Sequence, residues 1–102
     1  MNYGTISRKK ELIEGKTLIS YGGIRIGAHI SDFLVHVHET LSPEEQCAVE
    51  DFIVHQPGVV GVGFSPRHPH LMTIAYDADH ETAHHILTQV RERVTGAEMV
   101  GL

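Results

Sequence analysis

Nine histidines in a chain of 102 residues are the feature most able to do chemistry. His36-x-His38 and His68-Pro-His70 each set two imidazoles two residues apart, and His80 and His84 stand four apart. Imidazole ligates borderline metals and changes charge near neutral pH. Only its neutral form ligates, so a metal held this way should be released below about pH 6. Three or four imidazoles gathered at one place would suit Zn(II), Ni(II) or Cu(II) better than Cu(I). The residues offer less to catalysis. "GVGFSPR" lacks nucleophile-elbow spacing, and the glycines of "GGIRIG" precede no helix with phosphate-loop spacing. A histidine beside a glutamate, as in "HVHE", is too common to specify acid–base work. The expectation is a binding protein and not an enzyme.

Charge and composition narrow the partners. Thirteen Asp+Glu against eight Lys+Arg give a formal charge of -5, and no basic stripe runs along any segment, which argues against nucleic acid. Arg8, Lys9 and Lys10 are followed at once by Glu11 and Glu14, as on a solvated face. No run of about 18 apolar residues and no signal-peptide pattern occurs, so the chain is expected to be soluble and cytoplasmic, without a membrane partner. Cys47 is the single cysteine and can form neither an internal disulfide nor a CxxC site; as a lone thiol it reads as a packing residue.

The elements that must position the histidines divide the chain at about residue 30. Residues 1–30 read as an extension: "SRKKELIEG" as a short helix ending at Gly15, then "TLISYGGIRIGAHI" as a β-hairpin turning at Gly22-Gly23. Residues 31–102 read as one domain. "DFLVHVHE" alternates as a half-buried strand, with Phe33, Val35 and Val37 inward and Leu34, His36 and His38 on the other face. "SPEEQCAVEDFIVHQPG" is a helix with Ser42 at the N-cap, Pro43 at the first helical position and Glu45 closing a Ser-x-x-Glu capping box; Val49, Phe52 and Ile53 form its apolar stripe, and Pro57-Gly58 stops it. "VVGVGF" and "LMTIAYD" are strands separated by the turn "SPRHPH". "DHETAHHILTQVRERV" is a second helix, and "AEMVGL" after Gly96 a short last strand. The order βαββαβ is the ferredoxin-like pattern, a four-stranded antiparallel sheet with two helices on one face and the other face open.

Over residues 31–102 the sequence resembles the heavy-metal-associated domains of copper chaperones and metal-pumping ATPases. The likeness lies in "VEDFI", "PGVVGV", "IAYD" and "AEMVGL" at the family's spacing. It implies metal handling. Family members carry Met-x-Cys-x-x-Cys in the first loop, and counting back from Pro57 puts the two cysteine positions at Ser42 and Glu45. A hydroxyl and one carboxylate make no soft-metal site, so the usual copper chemistry does not carry over.

Histidines are the available substitute. In this topology the first loop, "SPRHPH" and the loop after the second helix share one end of the sheet, so His36 and His38 approach His68 and His70. His36 and His38 lie about 6.6 Å apart along one strand face. These four residues, His36, His38, His68 and His70, are the candidate metal ligands. The plainer alternative makes His68 and His70 ordinary residues of an exposed turn and His36 and His38 strand residues satisfied by hydrogen bonds. His80 and His84 would share a helix face at the opposite end, a separate pair at best. Without a metal, the chain reads as an interaction module, with a homo-oligomer formed through the open sheet face or the amino-terminal hairpin.

Overall fold

The periodicities in residues 31–102 correspond closely to the folded elements. The computed structural model describes residues 9–13, 16–20 and 29–100. In chain order these form β1 (Lys9–Ile13), β2 (Lys16–Ser20), β3 (Ile30–His36), α1 (Pro43–Val54), β4 (Val59–Phe64), β5 (Leu71–Asp77), α2 (Ala83–Arg93) and β6 (Glu98–Val100). From β3 onward the order is βαββαβ, and the antiparallel sheet β4-β5-β3-β6 carries both helices on one face. This is the ferredoxin-like arrangement.

Register explains the core. Ile74 on β5 lies between Val62 on β4 and Phe33 on β3, and one row along Met72 lies between Phe64 and Val35, with Met99 of β6 beyond Val35. Val49, Ile53 and Val54 of α1 and Ile86, Leu87 and Val90 of α2 close over these rows in one apolar cluster. Most of its members are fully buried, each contributing about 1.5–3 kcal/mol of transfer free energy. The helix starts are fixed locally: the Glu45 N–H donates to Ser42 Oγ (3.1 Å), the Ser42 N–H donates to Glu45 Oε1 (2.8 Å), and Thr82 Oγ1 accepts from the His85 N–H (3.2 Å). At the far end of α2, Arg91 Nε donates to the Ala97 carbonyl (2.9 Å), which ties the helix to the approach of β6.

A buried carboxyl group joins α1 to the sheet. Glu50 is 9% exposed, and its Oε2 accepts from the Phe64 N–H at the end of β4 (3.1 Å). Deleting the acceptor strands a donor away from water, at about 1–3 kcal/mol. Glu50→Ala is therefore expected to lower the urea midpoint clearly, while Glu50→Gln, which keeps an oxygen acceptor, should lose less; equal losses would show that the hydrogen bond is not what matters.

One sequence expectation changes. "SRKKELIEG" does not form a helix, because Lys9–Ile13 is a strand paired with Lys16–Ser20 from Ile13↔Lys16 to Lys9↔Ser20. A nine-residue isolated helix is marginal in water, whereas a strand here gains a full ladder. The observed hairpin joins β1 to β2, while the turn expected at Gly22-Gly23 and most of the strand after it lie outside the described residues. β2 pairs antiparallel with β4 at Ile19↔Val62 and extends the sheet edgewise to the order β1-β2-β4-β5-β3-β6.

The outer face is only partly open. A register shift between Val59 and Gly61 brings Val60 against Ala75, where Ile30 also packs, and Ala75 is 0% exposed rather than presented to solvent. Leu34, farther along the same face, is 36% exposed. Among the described residues no helix is long and apolar enough to cross a membrane.

Candidate metal centre

Alternation along β3 sends His36 away from the helices, and His38 follows two residues later on the same side. Their rings meet edge to face, with centroids 4.7 Å apart. The turn between β4 and β5 supplies a third imidazole, since the His70 ring stacks on His36 at 5.9 Å and 25°. His70 is held at two points: its carbonyl accepts from the Val37 N–H (2.8 Å), and its Nδ1 lies 2.7 Å from the Val37 carbonyl oxygen. A carbonyl can only accept, so Nδ1 carries the proton, and in the neutral ring Nε2 keeps its lone pair. Fixing one ring nitrogen on a backbone carbonyl so that the other can ligate is the usual support of a metal-bound histidine.

The four expected ligands are not equivalent. The fold brings together His36, His38 and His70. His68 lies in the same exposed turn, where its backbone N–H donates to Ser65 Oγ (3.2 Å), and among the described residues its ring meets none of the other three. Glu98 was not anticipated. It faces His36 across the β3–β6 ladder, and its Oε1 lies 3.5 Å from His38 Nε2. Gly96 was also missed: a Cβ there would lie 3.4 Å from His38 Cδ2, so the imidazole rests against this stretch of chain. Among the described residues, no three His, Cys, Asp or Glu side chains stand closed around one point. Binding at this end therefore needs side-chain movement, above all rotation of the half-buried His36 ring.

At Ser42 and Glu45, where the family resemblance puts two cysteines, both side chains are spent on the capping box. The Ser42 N–H, and then the Ser42 hydroxyl, hold the Glu45 carboxyl below its ordinary value of 4.5. A capped helix start and a soft-metal chelate are incompatible uses of the same two positions. Cys47 is exposed one turn along α1, in contrast to the packing role expected of it.

The other histidines make separate contacts. His80 precedes α2, whose N-cap is Thr82, so the expected helical pair with His84 does not form; His80 Nε2 lies 3.6 Å from Asp77 Oδ2 instead. His29 Nδ1 lies 3.4 Å from Asp79 Oδ1, His85 Nδ1 is 2.5 Å from Glu81 Oε1, and His55 Nδ1 is 2.6 Å from the Asp51 carbonyl oxygen. The His85 contact, followed by the Thr82 N–H, lowers the Glu81 pKa.

No family model matches the chain, and no curated protein matches its sequence. Solved structures do match. The copper-binding domain of HMA7, a P-type ATPase, aligns with a TM-score of 0.58 at 15% identity, covering 69% of this chain and 93% of that one. The CopZ metallochaperone aligns at 0.56 and 16%, covering 69% and 100%. Oxidized MerP from Ralstonia metallidurans CH34 aligns at 0.59 and 11%, covering 72% and 100%. The chain shares their fold. The match covers 93% to 100% of those chains and leaves over a quarter of this one outside it.

Proposed function

We propose that this chain is a small non-enzymatic binding protein that takes a divalent transition metal, Zn(II), Ni(II) or Cu(II), at the imidazoles of His36, His38 and His70. The observation carrying this reading is the clip on His70, which commits Nδ1 to the Val37 carbonyl and leaves Nε2 available beside two further imidazoles. Support also comes from the fold, shared with a copper-binding domain and a metallochaperone. The chemistry differs from soft thiolate binding, because imidazole donors favour divalent ions over Cu(I). His68 lies close enough in sequence to join after a turn movement, so it belongs in the test.

Isothermal titration of the full chain with Zn(II), Ni(II) and Cu(II) should give near one metal per chain at pH 7.5. His70→Ala and His38→Ala should each weaken binding at least about tenfold. His68→Ala separates a three-imidazole from a four-imidazole site. The metal should be released as the pH falls through about 6, where imidazoles protonate. A chain that takes up none of these ions overturns the metal reading. The exposed Leu34 on the same sheet face would then favour the second one, a metal-free interaction or self-association module.

A further inference from the structure

We propose that Glu98 is the fourth ligand of this site, so that β6 contributes the single carboxylate of a three-imidazole, one-carboxylate shell selective for a zinc-type divalent ion over Cu(I). The inference rests on the metal reading above and assigns a residue and a selectivity that reading lacks.

Strand register brings the donors to one place. His36 is opposite Glu98 on one side and Leu71 on the other, with His70 next in the chain. Three neighbouring segments therefore deliver to the outer face a carboxylate from β6, two imidazoles from β3 and the residues just after it, and one from the β4–β5 turn. Directly opposed residues lie about 4.5–5.5 Å apart, within reach of one ion for side chains of this length.

The His38–Glu98 contact is a poor hydrogen bond and a good ligand spacing. At 3.5 Å it exceeds the usual 2.7–3.2 Å range, and both side chains are more than half exposed, at 57% and 61%. As a surface ion pair it would contribute little. Two ligands of a tetrahedral ion with bonds of about 2.0–2.1 Å are about 3.3–3.4 Å apart, close to the spacing seen. Gly96 borders the site: a Cβ there would lie at ordinary contact distance, 3.4 Å from His38 Cδ2 and 3.7 Å from Glu39 Oε1, so the imidazole lies beside the approach to the strand that carries Glu98. His70 and the His38–Glu98 pair are already placed, and half-buried His36 completes the shell by ring rotation.

The carboxylate sets selectivity by charge and hardness. With a divalent ion, three neutral imidazoles and one carboxylate leave a net charge of +1; with Cu(I) they leave zero and give a soft ion a hard oxygen. Removing the carboxylate should therefore weaken Zn(II) and leave weak Cu(I) binding unchanged.

The test titrates Zn(II) into the full chain and into Glu98→Gln, with Glu39→Gln as a nearby carboxylate control, and records Co(II) absorption as a report on coordination. Circular dichroism confirms that each variant folds. The expected result is a loss of at least about tenfold in Zn(II) affinity for Glu98→Gln alone, with a shifted and weakened Co(II) spectrum. Equal Zn(II) affinity and an unchanged Co(II) spectrum would overturn the role of Glu98 and leave the imidazole site standing. Absence of Zn(II) and Co(II) binding by the unaltered chain would overturn both. Equal losses from Glu98→Gln and Glu39→Gln would reduce the effect to general charge and overturn the ligand assignment.

Discussion

Gly58→Ala is expected to lower the stability of the domain by about 2–4 kcal/mol. Two costs coincide. Gly58 has φ +84°, a conformation that costs an L-residue about 1–2 kcal/mol. An added Cβ would also come within 2.6 Å of Glu81 Cβ and 3.0 Å of Glu81 Cγ, an overlap in the range where overpacking costs about 1–3 kcal/mol. Glu81 cannot simply swing aside. Its Oε1 accepts from the Thr82 N–H (3.1 Å) and contacts His85 Nδ1, and the clash is with its Cβ rather than its tip. The Gly58 carbonyl also accepts from the Asp77 N–H (2.8 Å), so the turn after α1 and the turn before α2 are locked together at this glycine. For a domain of this size each kcal/mol moves the melting temperature by about 4–8 °C. Urea unfolding of Gly58→Ala, Glu81→Gly and the double variant apportions the loss: a steric share appears as coupling between the two, while a loss that simply adds would leave backbone strain as the whole cause. A Gly58→Ala variant as stable as the parent would mean that this turn takes another conformation.

The same turn shows what could be read in the sequence. Pro57-Gly58 marked the end of α1 because proline and glycine punctuate helices by local chemistry, and Ser42 and Glu45 marked its start for the same reason. "VVGVGF" and "LMTIAYD" became β4 and β5 residue for residue. The β1–β2 pairing was missed because two five-residue strands carry little signal of their own, and the pairing of β2 with β4 because its partner lies some forty residues away. Local pattern does not encode a distant partner. His80 was assigned to a helix that starts only after Thr82, a boundary set by a side-chain cap.

At the site, parity along β3 sufficed to place His36 and His38 on the outer face, and topology brought His70 to them. Glu98 escaped because β6 is three residues long, too short to declare a register of its own. Its alignment is fixed by Met99 packing opposite Val35, a contact made only in the folded chain, and a slip of one residue would have sent Glu98 to the helical face.

The largest change in chemistry is expected from placing two thiols at Ser42 and Glu45, where the family resemblance puts its cysteines. In a Cys47→Ser background, to leave no third thiol, Ser42→Cys with Glu45→Cys should give a chain that binds Cu(I) strongly enough to take it from a colorimetric Cu(I) chelator. The geometry is already present. Ser42 Oγ reaches the Glu45 N–H and Glu45 Oε1 is reached by the Ser42 N–H, so the two side chains meet across the first turn of α1. Thiolates at that place would also be favoured by the positive end of the helix. The gain has a structural cost, because loss of the Ser42 cap removes about 1 kcal/mol from the metal-free protein. It also changes the response to acid. The Glu45 carboxyl lies below its ordinary value of 4.5 in the folded chain, so its contribution is complete above that value and is lost as the pH falls below it through the lowered folded value. The double variant should lack this acid-sensitive part while gaining a stability that depends on Cu(I). Failure to bind Cu(I) with both new thiols reduced and reactive would show that the first loop differs in backbone from a chelating one. Success would mean that the capping box alone separates this chain from soft-metal chemistry, and that the imidazoles on the outer face mark a different use of the same fold.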